Sequence, residues 1–204
     1  MDLGPVELRV LGCLIEKQRT TPDQYPLSLN GLRLACNQAT NRDPVVDYDE
    51  HEIREALNRL GDRGWTRLAS GPGSRAAKFR HLFGDALGLG DAEVSLLAVL
   101  MLRGPQTAAE LRQRSERLHR FESVPAVEET LEGLVGRELV ERQARRPGER
   151  EERWRHLLGG EAPAPAAPAP APAATSLEQR VARIEQQLSE LIDSLERAGL
   201  LADD

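Results

Sequence analysis

An internal duplication constrains this chain more than any other feature. "GSRAAKFRHLF" at residues 73–83 aligns without gaps to "GEREERWRHLL" at 148–158. Arg75 answers Arg150, Lys78 answers Arg153, Phe79 answers Trp154, and Arg80, His81 and Leu82 answer Arg155, His156 and Leu157. Just upstream, "IREALNRLGDRGWTRL" and "VEETLEGLVGRELVER" share a skeleton in which Ile53, Leu57 and Leu60 answer Val127, Leu131 and Leu134. Apolar residues at steps of three and four mark a helix with one buried face. Further back, "VELRVLGCLIEK" pairs with "AEVSLLAVLMLR", and "LSLNGLRLACNQ" with "QTAAELRQRSER". The pairing offset falls from 86 through 79 to about 74, so the first copy has longer connections on both sides of its second helix.

Each copy therefore reads as three helices followed by two strands around a Gly/Pro turn, "ASGPGSR" in one and "ARRPGER" in the other. That order is a winged helix, a helix-turn-helix variant carrying a β-hairpin wing. The predicted fold class is mainly α with small β wings: two tandem winged-helix domains at residues 1–86 and 88–158, an Ala/Pro linker at 159–175 and a coiled-coil helix at 176–200. The linker, "GGEAPAPAAPAPAPAAT", lacks many backbone donors and favours extended polyproline-like conformations. Beyond it Leu177, Val181, Ile184, Leu188, Leu191 and Leu195 alternate steps of four and three, which is a heptad seam. The seam is the expected oligomerisation surface of a homodimer. Three heptads are marginal in isolation, so one amphipathic helix folded back on the body is the other arrangement open to it.

The stretches "YPLSLNGLRLACNQATNRDPV", "SGPGSRAAKFRH" and "RSERLHRFESV" together resemble the YceH-like family of bacterial proteins, a family of unknown function, over residues 4–158. The resemblance implies tandem winged-helix domains that associate, and implies no activity, ligand or cofactor. The proline linker and terminal heptads are less typical of it.

With 40% apolar but only 3% aromatic residues, the cores must be built from Leu, Val, Ile and Ala, which suits helices. "MDLGPVELRV" has no basic segment leading into an apolar one, and no apolar run approaches the roughly 20 residues that cross a bilayer. A cytoplasmic protein without a membrane partner is expected. Cys13 and Cys36 lie 23 positions apart with no CxxC spacing, which predicts two reduced thiols. The net charge of −6 argues against general polyanion binding. Residues 159–204, with three basic and eight acidic side chains, supply most of it, so the body ahead of them is nearly neutral.

Catalytic chemistry finds little support. A thiol nucleophile needs a base beside it, and "LNGLRLACNQ" holds no His. Leu29, Leu32 and Cys36 fall at helical steps, which makes Cys36 a small core hydrophobe, as Cys13 is with Val6, Val10 and Leu14. His81 and His156 alternate in phase with Phe79 and Trp154, so they face inward rather than forming a metal site or a pH switch. No GxSxG, HExxH, phosphate-loop or dinucleotide motif is present. The expectation is no catalytic residue, no metal and no cofactor, with a thiol-dependent enzyme as the remotest reading.

The remaining signal is basic. From Arg63 to His81 the first wing carries Arg63, Arg67, Arg75, Lys78 and Arg80 with no acidic residue. The second holds Arg142, Arg145, Arg146, Arg150, Arg153 and Arg155, diluted by Glu141, Glu149, Glu151 and Glu152. Arginines on a wing are placed to contact phosphate or enter a minor groove. The candidate DNA-contacting residues are Arg67, Ser74, Arg75, Lys78, Arg80, Arg145, Arg146 and Arg150, with Asn41 and Arg42 in the loop "NQATNRD". A solvated hairpin laced with salt bridges is the competing reading of both wings. Against DNA, the third helix of the first copy starts in "DYDEHE" and that of the second contains "VEET", acidic where a reading helix normally leads. The expected function is a non-enzymatic DNA-binding protein, a dimeric transcriptional regulator using wing arginines. The alternative is a winged-helix scaffold for protein partners. Deleting residues 176–204 should convert a dimer to a monomer in sedimentation equilibrium, and an unchanged dimer would move the interface into the body.

Overall fold

In the computed structural model, which describes residues 2–69, 76–145 and 151–160, helices begin where a side chain can take their first free N–H groups. Ser28 Oγ accepts from Gly31 N at 3.1 Å, Asp49 Oδ1 from Glu52 N at 2.8 Å and Thr107 Oγ1 from Glu110 N at 3.2 Å. At the first helix of each copy the roles are reversed. A glycine N–H donates to the glutamate three residues on, Gly4 to Glu7 at 2.6 Å and Gly90 to Glu93 at 2.7 Å.

The first copy comprises α1 (Pro5–Thr20), a 3-10 turn (Pro22–Gln24), β1 (Leu27–Ser28), α2 (Leu29–Cys36), α3 (Glu50–Asp62), β2 (Thr66–Leu68) and β3 (Lys78–His81). A short helix, α4 (Phe83–Leu87), leads into the second copy: α5 (Asp91–Arg103), α6 (Ala108–Ser115), α7 (Val124–Gly136), β4 (Val140–Gln143) and β5 (Arg153–His156). The architecture is mainly helical with two small antiparallel sheets. The linker beyond residue 160 and the heptad positions Leu177, Val181, Ile184, Leu188, Leu191 and Leu195 lie outside the described residues, as do Ser74, Arg75, Arg146 and Arg150.

The three helices and the two hairpin strands of one copy each have a counterpart in the other. α2 and α6 each span 8 residues, and α3 and α7 each span 13. Thr66 opposes His81 in the first sheet and Val140 opposes His156 in the second. The first sheet has three strands in the order β1-β3-β2. In the second, the counterpart of β1 shrinks to a bridge between Gln106 and Trp154, which exchange both backbone hydrogen bonds at 3.0 and 2.7 Å. The residue that turns the chain from the third helix into the sheet is left-handed in both copies, Gly64 at φ 72° and Glu138 at φ 56°. Only in the first has glycine removed the steric cost of that conformation.

The copies share one core. Every residue of α5 from Val94 to Leu102 is buried, so this helix has no solvent face and must be packed from several sides. α1 lies against it, and Gly12 is the point of closest approach. A Cβ there would sit 2.9 Å from Cγ and Cδ2 of Leu102 and 3.4 Å from Cβ of Met101. The chain also closes on itself, because Leu3 N donates to Leu158 O at 2.9 Å where the second sheet ends. Met1–Gly160 accordingly forms one compact unit. Gly12→Val should overpack the α1–α5 contact and lower stability by about 2 kcal/mol. Urea denaturation would show this as a lower midpoint with an unchanged m-value.

Candidate functional site

The first sheet carries an arrangement of charge that the second lacks. Residues directly opposite on an antiparallel pair share a face, and Arg67 opposes Arg80. Lys78, two residues from Arg80 on β3, projects to the same face and is exposed. Arg67 is exposed and Arg80 half-buried, and neither makes an ion pair among the described residues. Arg80 Nε is buried with no hydrogen-bond partner. Two guanidiniums facing each other destabilise a strand pair unless an anion lies between or over them.

The equivalent pair in the second sheet is Glu141 and Arg155, joined as an ion pair. Its neighbours are neutralised as well. Arg142 reaches Glu132 and, at 3.2 Å, Glu152, with its guanidinium 4.8 Å from the centre of the Trp154 ring. Arg153 meets Glu110 at 2.9 Å. Arg145 is exposed just beyond β4. The two sheets thus share a backbone plan and differ in charge, since Arg67 stands where the second copy has Glu141.

The loop residues separate into different roles. Arg42, grouped above with the DNA-contacting residues, is turned inward, and its side chain is 0% exposed. It donates to both carboxylate oxygens of Glu16, at 3.2 and 2.6 Å, and to the carbonyl of Ala35 at 3.1 and 3.0 Å. Burial alone would raise the Glu16 pKa, but the Arg42 and Lys17 cations hold it below its ordinary value. A charge so enclosed is committed to closing the C-terminal end of α2 and cannot reach a phosphate. Arg9 does the same work from α1, donating to Cys36 O at 3.1 Å and Pro44 O at 2.6 Å. Asn37 is also structural, bonded to Tyr48 on both its backbone groups at 2.8 and 3.0 Å. Asn41, at φ 61°, accepts from Arg103 of α5.

The helix ends are acidic in space as well as in sequence. Asp47, Asp49 and Glu50 line a shallow recess with Arg33 and Tyr48 at the start of α3. Glu128, Glu129 and Glu132 are exposed or half-exposed along α7. Cys13 and Cys36 are both fully buried, and the contact with Cys13 together with burial pushes the Cys36 thiol well above its ordinary value. No imidazole takes part in that contact. Among the described residues no group of three His, Cys, Asp or Glu could hold a metal ion, and no helix is long and apolar enough to cross a membrane.

Pattern reading overlooked Arg103, Arg114 and Arg117. In sequence Arg103 is an unremarkable cation in the last turn of a helix, where the macrodipole favours one. Only the arrival of the α2–α3 connection, with Asp43 N donating to Leu102 O at 2.9 Å, gives it a partner and a setting.

The two sheet histidines are held neutral. Burial first, then the charge of the adjacent arginine, Arg80 or Arg155, pushes the pKa of His81 and of His156 down to about 4. His81 Nε2 lies 2.5 Å from Gln18 Oε1, while the Nδ1 atoms of both rings are buried without a partner, so a second proton would have nothing to bond.

Comparison with known proteins gives the family but no activity. Residues 3–149 match the family described as "Protein of unknown function, DUF480". A "UPF0502 protein" of Serratia proteamaculans is 47% identical over 206 residues, covering 94% of this chain and 96% of that one. A "UPF0502 protein" of Dechloromonas aromatica is 48% identical, covering 93% of this chain and 92% of its own length. The "UPF0502 protein YceH" of Salmonella paratyphi B is 45% identical, covering 95% and 98%. The chain belongs to this family.

Protonation of the two histidines sets a pH dependence. The unfolded chain takes up the proton near pH 6.5 and the folded chain only near pH 4, so between these values the unfolded state binds more protons. Stability contributed by each ring is therefore complete above pH 6.5 and falls as the pH drops towards 4, by at most about 1.4 kcal/mol per pH unit per ring. In urea titrations across this range, His81→Gln should lose stability less steeply with falling pH than the wild type.

Proposed function

We propose that this member of the DUF480 family is a non-enzymatic DNA-binding protein, a dimeric transcriptional regulator in which each repeat is a winged helix and the first wing contacts phosphate. The observation that carries the reading is the Arg67–Arg80 pair, two guanidiniums opposed on one face of the first sheet with no carboxylate paired to either among the described residues. The neutralised counterpart in the second copy supports it, because the same backbone tolerates Glu141 at the position of Arg67. A duplicated fold that needed only a stable hairpin would keep the ion pair. Phosphate oxygens accept two parallel N–H bonds from a guanidinium, which suits Arg here better than a point charge.

The binding mode follows from the acidic helices. Asp47, Asp49, Glu50 and Glu52 at the start of α3 would be repelled by a phosphate backbone, so α3 does not lead into the groove. The wing leads instead, with Arg67 and Arg80 on phosphates. Those same acidic helices favour a second reading. On α7, Glu128, Glu132 and the exposed Val135 fall at steps of four and three, a face suited to a basic protein partner.

Fluorescence anisotropy with mixed genomic fragments tests the first reading. Affinity should fall with salt at a log-log slope of about −0.9 per phosphate contact, and Arg67→Gln should reduce the magnitude of that slope by about one contact. Arg155→Gln, in the neutralised sheet, should leave the slope unchanged. Absence of binding at low salt would reject DNA and favour the scaffold.

A further inference from the structure

A cleft of about 760 Å³ opens where the two copies meet, between the second half of α1, the α2–α3 connection, the end of α5 and α6. That volume falls within the range of small-ligand sites. Lys17, Arg103, Arg114 and Arg117 line it, against the carboxylates of Glu16 and Glu116. None of its lining residues belongs to the first sheet.

The cations here outnumber the carboxylates available to them. Glu16 is already held on both oxygens by Arg42, at 3.2 and 2.6 Å. Arg114 contacts Glu110 at 3.3 Å, but Arg153 shares that carboxylate at 2.9 Å. Arg103 is half-buried and has no ion pair among the described residues, and Arg117 is exposed with none either. Burial, then the nearby charge of Arg114, pushes the Arg103 pKa below its ordinary value, so the guanidinium sits where a further anion would relieve it.

Its orientation is fixed from the other copy. Asn41 accepts from Arg103 through Oδ1, and does so from the left-handed conformation at φ 61°. Asparagine tolerates that region better than most residues but still at some cost. The strain lies in the connection that is longer in the first copy than in the second, at the point where it meets α5. Thr40 and Gln113 add an uncharged hydroxyl and amide to the same walls.

We propose that this cleft binds a small phosphorylated molecule, with Arg103 and Arg117 as its anion ligands and the polar walls contacting the rest. A guanidinium lining such a cleft matches the bidentate geometry of phosphate. The inference is independent of what the first sheet binds.

Calorimetric titration of the full chain with inorganic pyrophosphate, at constant ionic strength, tests it. The expected result is saturable binding, weakened about tenfold or more in Arg103→Gln and in Arg117→Gln and unchanged in Arg155→Gln on the neutralised second sheet. Arg117 is exposed, so its variant reports on the site even if Arg103→Gln folds poorly. No saturable binding overturns the proposal, and so does a loss in Arg67→Gln equal to that in Arg103→Gln, which would place the ion on the first sheet. A short DNA duplex that displaces pyrophosphate from Arg67→Gln as effectively as from the wild type would assign the cleft to nucleic acid and also overturn it. Failure of the salt-slope experiment would leave the pyrophosphate result standing.

Discussion

The contact between α1 and α5 at Gly12 and Leu102 is the constraint on which the other features depend. Neither copy has a complete core of its own there. α5 is buried from Val94 to Leu102 because it serves its own three-helix group on one side and α1 on the other. Such a helix cannot be amphipathic, and its apolar character all round is what forces the copies together. The contact fixes the α2–α3 connection over the end of α5, through Asp43 and Leu102, and so shapes the cleft. It also brings Leu3 to Leu158, which closes the body at the end of the second sheet.

Duplication kept the backbone and let the charges diverge. The lengths of the second and third helices, the caps, strand register and the left-handed residue after the third helix recur in both copies. These are the features a three-helix and two-strand unit needs in order to close, and they tolerate little change. Surface charge is under no such restriction. The second sheet pairs each described strand arginine with a glutamate, while the first sets Arg67 against Arg80. Surface ion pairs contribute only about 0–1 kcal/mol each, so losing one costs the fold little and frees a cationic face for another use.

Two buried arginines show how a long connection is made rigid without regular structure. Arg9 and Arg42 donate to the carbonyls of Cys36 and Ala35, which the end of α2 would otherwise leave unpaired, and Arg9 also to that of Pro44 within the connection. Burying a cation is costly unless its donors are satisfied, and Glu16 completes Arg42. The same connection then presents Asn41 to Arg103, so a structural element also orders the wall of the cleft.

The sequence by itself determined the repeat, the three helices and two strands of each copy, the inward histidines and the family, but not β1, the 3-10 turn or α4. Each of these is written in local terms, as apolar steps of three and four, alternation along a strand, or capping residues beside the helix they start. "LSLN" is enough to start α2, and the phase of Phe79 with His81 is enough to turn that ring to the core. What only the tertiary structure decided is which charges have partners. Arg42 and Arg67 look alike as cations in polar segments, yet one is enclosed by Glu16, 26 positions away, and the other faces a second arginine across a strand pair. Arg103 meets Asn41 across 62 positions. Electrostatic partners depend on proximity in space, and helix and strand periodicity is silent about proximity between residues so far apart in the chain.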